Sequence, residues 1–461
     1  MIQSKINRSL ILLASLLSLV AALPAQAVPS FARQTGEDCA ACHTSFPELT
    51  PFGRNFKLNG YTLGERQMLP LAAMMQFSMT HIDKQTSDGN KYMMRQNDPQ
   101  FDGASLFLAG KISDNAGGFI QWTYENLDHL RNDGTTIAHH SHVDNTDLRL
   151  VGTYDLFGRD TVVGLVLNNN PTVQDVWNST PAWGFPFNGS KLPDVGGPGG
   201  SPLPSAGTQI DGGLAQTVEG LGGYFWWDRH LYGELSFYGT ADGFWRPLSK
   251  GAWYKSTGPT LAGRDNPYWR LAWNQDWGAH SLMVGTYGMR VDMYPDPTVT
   301  SGPTNRFTDT ALDAQYQYIS DPHIITAQAT YIHEKQEYAA GAFDPSCAAA
   351  GSGTPCNSSD TLNTFRAKLS YLYDRKYGAT LAYFQTLGRA DLGLYNGASA
   401  KPDTRGYILE ADYNPWTNVR FALQYTGYTK INGGNNGYDP ASPSRKASDN
   451  NTLFLNTWFA F

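Results

Sequence analysis

The stretch Phe365-Arg366-Ala367-Lys368-Leu369-Ser370-Tyr371-Leu372-Tyr373 decides the fold of this chain. Apolar residues at 365, 367, 369, 371 and 373 alternate with Arg366, Lys368 and Ser370. Period two is converted by an extended strand into one apolar and one polar face. The pattern recurs on both sides. Leu148, Leu150, Gly152 and Tyr154 alternate with Asp147, Arg149 and Thr153, and Tyr407, Leu409, Ala411 and Tyr413 with Glu410 and Asp412. Val419, Phe421, Leu423 and Tyr425 alternate with Arg420 and Gln424.

Followed along the chain, alternation predicts sixteen strands, near residues 71–82, 104–113, 117–127, 145–155, 160–168, 215–227, 230–240, 267–276, 279–293, 308–319, 323–335, 362–373, 377–387, 404–413, 417–429 and 449–461. Tight turns join them in pairs, at residues 113–116, 156–159, 227–230, 320–323, 374–377 and 414–417. Long Gly/Pro/Asn-rich loops separate the pairs, the longest running from Asn169 to Gly213. An even strand count with short turns at one end and long loops at the other is the outer-membrane barrel pattern. The last strand, with Leu453, Leu455, Trp458, Phe459 and Phe461, ends the chain as such barrels end. The expected fold is all-β: a 16-stranded antiparallel, porin-like barrel. Its Leu/Tyr/Phe face points to lipid. Asp147, Arg149, Glu234, Arg270, Asp313, Arg366, Lys368, Glu410, Asp412 and Arg420 point into the lumen. A soluble sandwich or propeller would leave too many aromatic faces unpaired, and propeller-like repeats are absent.

Composition agrees. Of 461 residues only 16% are charged, while 41% are hydrophobic and 13% aromatic. Mean hydropathy is nevertheless negative, as expected when each strand averages a lipid face with a wet one. Repeated apolar runs of about 20 residues, the mark of a helical membrane protein, are lacking. The one long apolar run, Leu10 to Leu23, follows Lys5 and Arg8 and precedes Ala25-Gln26-Ala27. That is a secretory signal peptide over residues 1–27. With a formal net charge of −7 and no basic runs, the chain is no candidate for binding nucleic acid.

The four cysteines form two unlike pairs. Cys347 and Cys356 flank a small-residue loop and read as a disulfide in an oxidising compartment. Cys39-Ala40-Ala41-Cys42-His43 is the C-x-x-C-H signature of c-type haem attachment. Two thiols one helical turn apart suit the two vinyl groups of one porphyrin edge, and the next His becomes an axial ligand of the iron. A thioredoxin-like site wants a βαβ context, and a zinc site wants a second Cys/His pair; neither is present. The expected cofactor is one covalently bound haem c, on Cys39 and Cys42, with His43 as proximal ligand. Thr50 then caps a helix with Pro51 in its first turn, and Gly60 ends it. That helix places Phe52 and Phe56 on one face, free to pack on a macrocycle. Arg54 and Lys57 are candidates for haem propionates or for a solvated face. Residues 28–69 are too few to bury a sizeable core alone, so they lean on the barrel of residues 70–461.

One haem below a pore is a poor relay to the outside, whereas one drawn into the lumen could take an electron near the outer face. Here the residues carry a resemblance. Residues 29–36, the Cys39–His43 motif, residues 46–54 and residues 56–61 (Phe-Lys-Leu-Asn-Gly-Tyr) resemble the fused outer-membrane cytochrome–porin family of iron-oxidising bacteria. The barrel portion resembles that family only in length and strand pattern. The resemblance implies oxidation of extracellular Fe(II) at a single haem, with electrons passed inward to a periplasmic cytochrome or other carrier. A haem conduit for another donor or acceptor, or a solute porin with a haem segment, are the alternatives. The distal ligand stays open among Met68, Met74, Met75, Met79 and His81. His129, His139, His140 and His142, with Asp128 and Asp144, read as a transient metal loop or a solvated one.

Overall fold

The computed structural model describes residues 29–84, 96–125, 140–190, 192, 206–250, 258–347, 350–395, 399–438 and 443–461. The leader read at residues 1–27 lies outside them. All sixteen expected strands form: β1 (Leu71–Ile82), β2 (Gln100–Ser113), β3 (Ala116–Glu125), β4 (His140–Leu156), β5 (Arg159–Asn168), β6 (Val218–Trp227), β7 (Leu231–Thr240), β8 (Asn266–Trp277), β9 (His280–Met293), β10 (Asn305–Ser320), β11 (His323–Glu337), β12 (Ser359–Tyr373), β13 (Tyr377–Gly388), β14 (Thr404–Trp416), β15 (Val419–Lys430) and β16 (Thr452–Ala460). Neighbours in sequence pair antiparallel, and β16 closes on β1, with Met74 opposite Ala460 and Ile82 opposite Thr452. Closure leaves no unpaired edge, which is the condition for a sheet to cross lipid. Two strands, β6 and β16, start three residues later than alternation predicts. Gln209–Gly213 coils before β6 and Ala447–Asn450 before β16.

The alternation has the expected sense. On β12, Lys368 is 7% exposed beside Leu369 at 52%. Leu381, Leu409 and Leu423 on the next strands are exposed likewise. This continuous apolar outer surface belongs in a bilayer, and the chain is an outer-membrane barrel protein. Inside, nine of the ten expected luminal charges are buried; the tenth, Arg366, reaches Asp211 of the long loop. Buried charges persist only when compensated. Accordingly Arg149 binds Asp147 at 2.9 Å, Arg270 binds Asp313 at 2.7 Å and Asp175 at 3.3 Å, and Arg420 lies 2.8 Å from Asp412.

The long loop after β5 does not project outward as a polar loop between strand pairs would. It turns into the barrel. Thr172, Val173, Val176 and Trp177 have at most 1% exposure. The Trp177 indole donates to Asn274 on β8, and its carbonyl accepts from Gln328 on β11. Ile210 and Gln209 donate backbone N–H groups to Asp309 and Glu334. Cys347 and Cys356 form the expected disulfide.

Candidate haem site at the short-turn mouth

Three short helices precede β1: α1 (Ser30–Thr35), α2 (Cys39–Cys42) and α3 (Pro51–Leu58). Gly36, at φ +74°, stops α1 in the left-handed conformation that glycine adopts without strain. Gln34 ties both ends of the segment together. Its amide donates to the carbonyls of Tyr61 and Leu63, and its oxygen accepts from the Lys111 N–H on β2. In α3 the cap forms as expected, Thr50 accepting from Gly53 N–H at 3.1 Å with Pro51 in the first turn.

Cys39 and Cys42 are one turn apart and unbonded to each other. The turn is closed by the His43 N–H donating to Cys39 O at 2.9 Å. The segment Thr44–Leu49 then loops back so that Thr50 N–H donates to Cys42 O, while the Thr50 hydroxyl donates to Ala41 O. Burial pushes both thiols up, Cys42 to about 11. Burial also pulls His43 down to about 4, against the nearby Pro47 carbonyl. At neutral pH the imidazole is therefore uncharged, the form that binds metal. Its Nδ1 is buried without a hydrogen-bond partner. With the Pro47 carbonyl beside the ring, one nitrogen has a neighbour to orient it and the other is available to a metal. Two adjacent free thiols and a neutral imidazole fit a covalent haem held through iron.

The barrel wall fixes this motif through residues that sequence reasoning missed. Arg375, in the β12–β13 turn, donates to the carbonyls of Ala40 and His43 at 3.2 and 3.3 Å. Thr417, in the β14–β15 turn, hydrogen-bonds the Cys39 sulfur. Both are turn residues with no pattern to mark them. They place the motif at the short-turn end, the periplasmic end of outer-membrane barrels. Above it, Thr44, Ser45 and Glu48 line a crevice of about 330 Å³ against Ser370, Leu372 and Arg420 of the wall.

Arg54 and Lys57 are neither solvated nor free for propionates. Arg54 donates to Gln315 and Gln317 of β10 at 3.0 and 2.6 Å and to Ser281 of β9. Lys57 donates to the carbonyls of Val173 and Asp175 and lies 3.5 Å from Asp147. Both are about 5% exposed or less. The expected aromatic face is also split. Phe52 is exposed, whereas Phe56 packs edge-on against Phe31 and Tyr61, with ring centroids at 5.0 and 5.7 Å. Phe56 is thus committed to the protein core. The cause is common to all three: α3 lies inside the barrel, so its polar side meets luminal amides and carbonyls.

The distal candidates separate by strand face. Gln76, Ser78 and Thr80 meet the luminal residues Asn188, Asp102 and Ser190. Met74 is on that same face. Met75, Met79 and His81 alternate to the outer face, and Met68 is fully exposed in the linker. In the histidine loop, Asp128, His129, His139 and the His140 side chain lie outside the described residues. Asp144 is engaged by Thr123 and Gln216. Among the described residues no cluster of three or more His, Cys, Asp or Glu is placed to hold a metal ion.

No family model matches the chain, and no curated protein matches it. Solved structures do, at low identity. In vitro folded OmpT, an outer membrane protein of Vibrio cholerae, is 11% identical, with 85% of this chain and 96% of that one covered and a TM-score of 0.41. Salmonella typhi OmpF in complex with daunomycin is 10% identical, covering 85% and 97%, at 0.44. The outer membrane channel DcaP of Acinetobacter baumannii is 12% identical, covering 85% and 96%, at 0.40. Barrel closure and the apolar outer face are what place the chain in a membrane.

Proposed function

We propose that this chain is an outer-membrane electron-transfer protein. It carries one haem c on Cys39 and Cys42, with His43 as an axial ligand, oxidises extracellular Fe(II), and delivers electrons to a periplasmic cytochrome or other carrier. The observation that carries this reading is the pair of free thiols one turn apart beside the half-buried His43 imidazole, held at the short-turn mouth. Bound there, the haem supplies a one-electron carrier. The chain's own residues do the rest. Arg375 and Thr417 hold the motif against the barrel rim. The Gly53 end of α3 buttresses Cys42. Arg54 pins α3 to β9 and β10, and Lys57 pins it to the inward loop and Asp147 of β4, so the segment cannot hang free below the pore. The mouth position suits hand-over to a soluble periplasmic partner.

The contacts of the inward loop speak against the solute-channel alternative, because Trp177 and its neighbours occupy the space that a solute would cross. Stopped-flow mixing of purified, oxidised protein with Fe(II) tests the proposal. Reduction of the haem band within seconds is expected. A band that stays oxidised with Fe(II) but is reduced by another donor would replace iron as the substrate and leave the conduit intact.

A further inference from the structure

We infer that Met74 is the second axial ligand of the iron, an assignment that rests on the haem reading above. Elimination comes first. The candidate must face the lumen near the short-turn end. Among the described histidines, His280 and His323 lie there but on the outer face, stacked with Trp277 and Tyr371. His230, in the β6–β7 turn, is engaged through Nδ1 by the Asn274 carbonyl and lies halfway around the barrel from Thr417, and His81 alternates to the outer face. His333 alternates to that face too, out of step with the buried Ile332 and Glu334. His142 lies near the opposite, long-loop end of β4. Of the methionines, Met75 and Met79 point to lipid, Met68 is fully exposed in the linker, and Met289 and Met293, towards the long-loop end of β9, pack on the Ile210 cluster. Met283 is luminal but sealed among Leu58, Trp177 and Tyr232. Met74 remains.

Position then supports it. Thr417 touches Cys39, and its neighbour Asn418 accepts from the Ala460 N–H. Ala460 is the register partner of Met74. Met74 is therefore level with the turn that holds the motif, two strand spacings, about 10 Å, around the wall. Its sulfur has only a weak contact, 3.9 Å from the Gln76 amide. Two strand positions on, Trp458 presents a buried indole N–H without a partner, so this wall carries polar capacity that the described residues leave unused. A thioether is also the chemically apt choice, since Met ligation raises the potential relative to His. A high potential lets the haem accept electrons from a weak reductant.

The test uses the haem-loaded full-length protein in detergent, with the ferric spectrum and the potential as readouts. The native protein is expected to be low-spin, with a far-red sulfur-to-iron charge-transfer band. Met74→Leu keeps the side-chain volume, so the barrel folds; it should lose the band and bind added imidazole. Met74→His should stay low-spin without the band, at a more negative potential. Met75→Leu and Met283→Leu should keep the band. A band that persists in Met74→Leu, or is absent from the native protein, overturns the assignment alone. A purified chain with no covalently bound haem overturns the haem reading along with it.

Discussion

Gly53 shows how closely α3 is fitted to the motif. A β-carbon there would stand 2.2 Å from the Cys42 carbonyl oxygen, which already accepts from Thr50. Backbone cannot yield as a flexible side chain does, so Gly53→Val should push α2 away from α3. The expected outcome is a lower haem-to-protein ratio in purified material, with the barrel's β-sheet circular dichroism unchanged. Unchanged haem content would show that the contact is dispensable. Lys57 makes a different prediction. Lys57→Met removes the partner of two buried carbonyls and one of the cations beside Asp147, while Arg149 remains at 2.9 Å. The Val173 carbonyl keeps the Trp183 indole N–H, but the Asp175 carbonyl loses its donor, and an unpaired buried acceptor costs about 1–3 kcal/mol. Because the wall itself is untouched, the loss should appear as faster amide hydrogen exchange in α3 and not in β4. Equal exchange in both proteins would place the anchoring elsewhere.

At the scale of elements, legibility followed locality. Each strand announces itself through its own alternation, and α3 through Thr50 and Pro51, because cap and period are properties of neighbouring residues. The destination of the loop after β5 depends on Asn274, Gln328 and Asp309, about 100 residues or more away. Nothing local distinguishes a loop that turns inward from one that projects. Arg54 was misread for the same reason, since its partners Gln315 and Gln317 lie far downstream. The C-x-x-C-H motif can be read at once because it is contained in five residues; its supports Arg375 and Thr417 cannot. The Cys347–Cys356 bridge was legible too, and its effect should be as local as its sequence. Closing a loop of this length is worth about 2–4 kcal/mol to the closed segment. Cys347→Ser with Cys356→Ser should therefore speed proteolytic nicking of that loop and leave the barrel's unfolding temperature where it was. A marked fall in that temperature would mean that the loop staples the wall.

For the whole molecule, the decisive quantity is how much water the lumen admits. Sixteen strands alone enclose an aqueous channel. Here α3 enters from the short-turn end, and the loop of Thr172–Phe187 lies across the lumen against it, with Leu49 N–H donating to Asn178 at 3.0 Å. The two inserts also share partners. Gln317 accepts from Arg54 and donates to Leu49, while Gln315 accepts from Arg54 and donates to the Trp177 carbonyl. The plug is thus one body pinned to β10, and its removal is not a matter of one side chain. Native protein in a planar bilayer should show little conductance, well below that of an open barrel of equal strand number. Deleting Thr172–Phe187 should open it, because the luminal charges left behind, Arg270 with Asp313 and Arg149 with Asp147, retain their wall partners. They would then line a wet pore. Porin-sized steps from the native protein would contradict the packing and revive the solute-channel reading. Porin-sized steps confined to the deletion would show that the barrel is held closed by its own chain, as the proposed electron-transfer role requires.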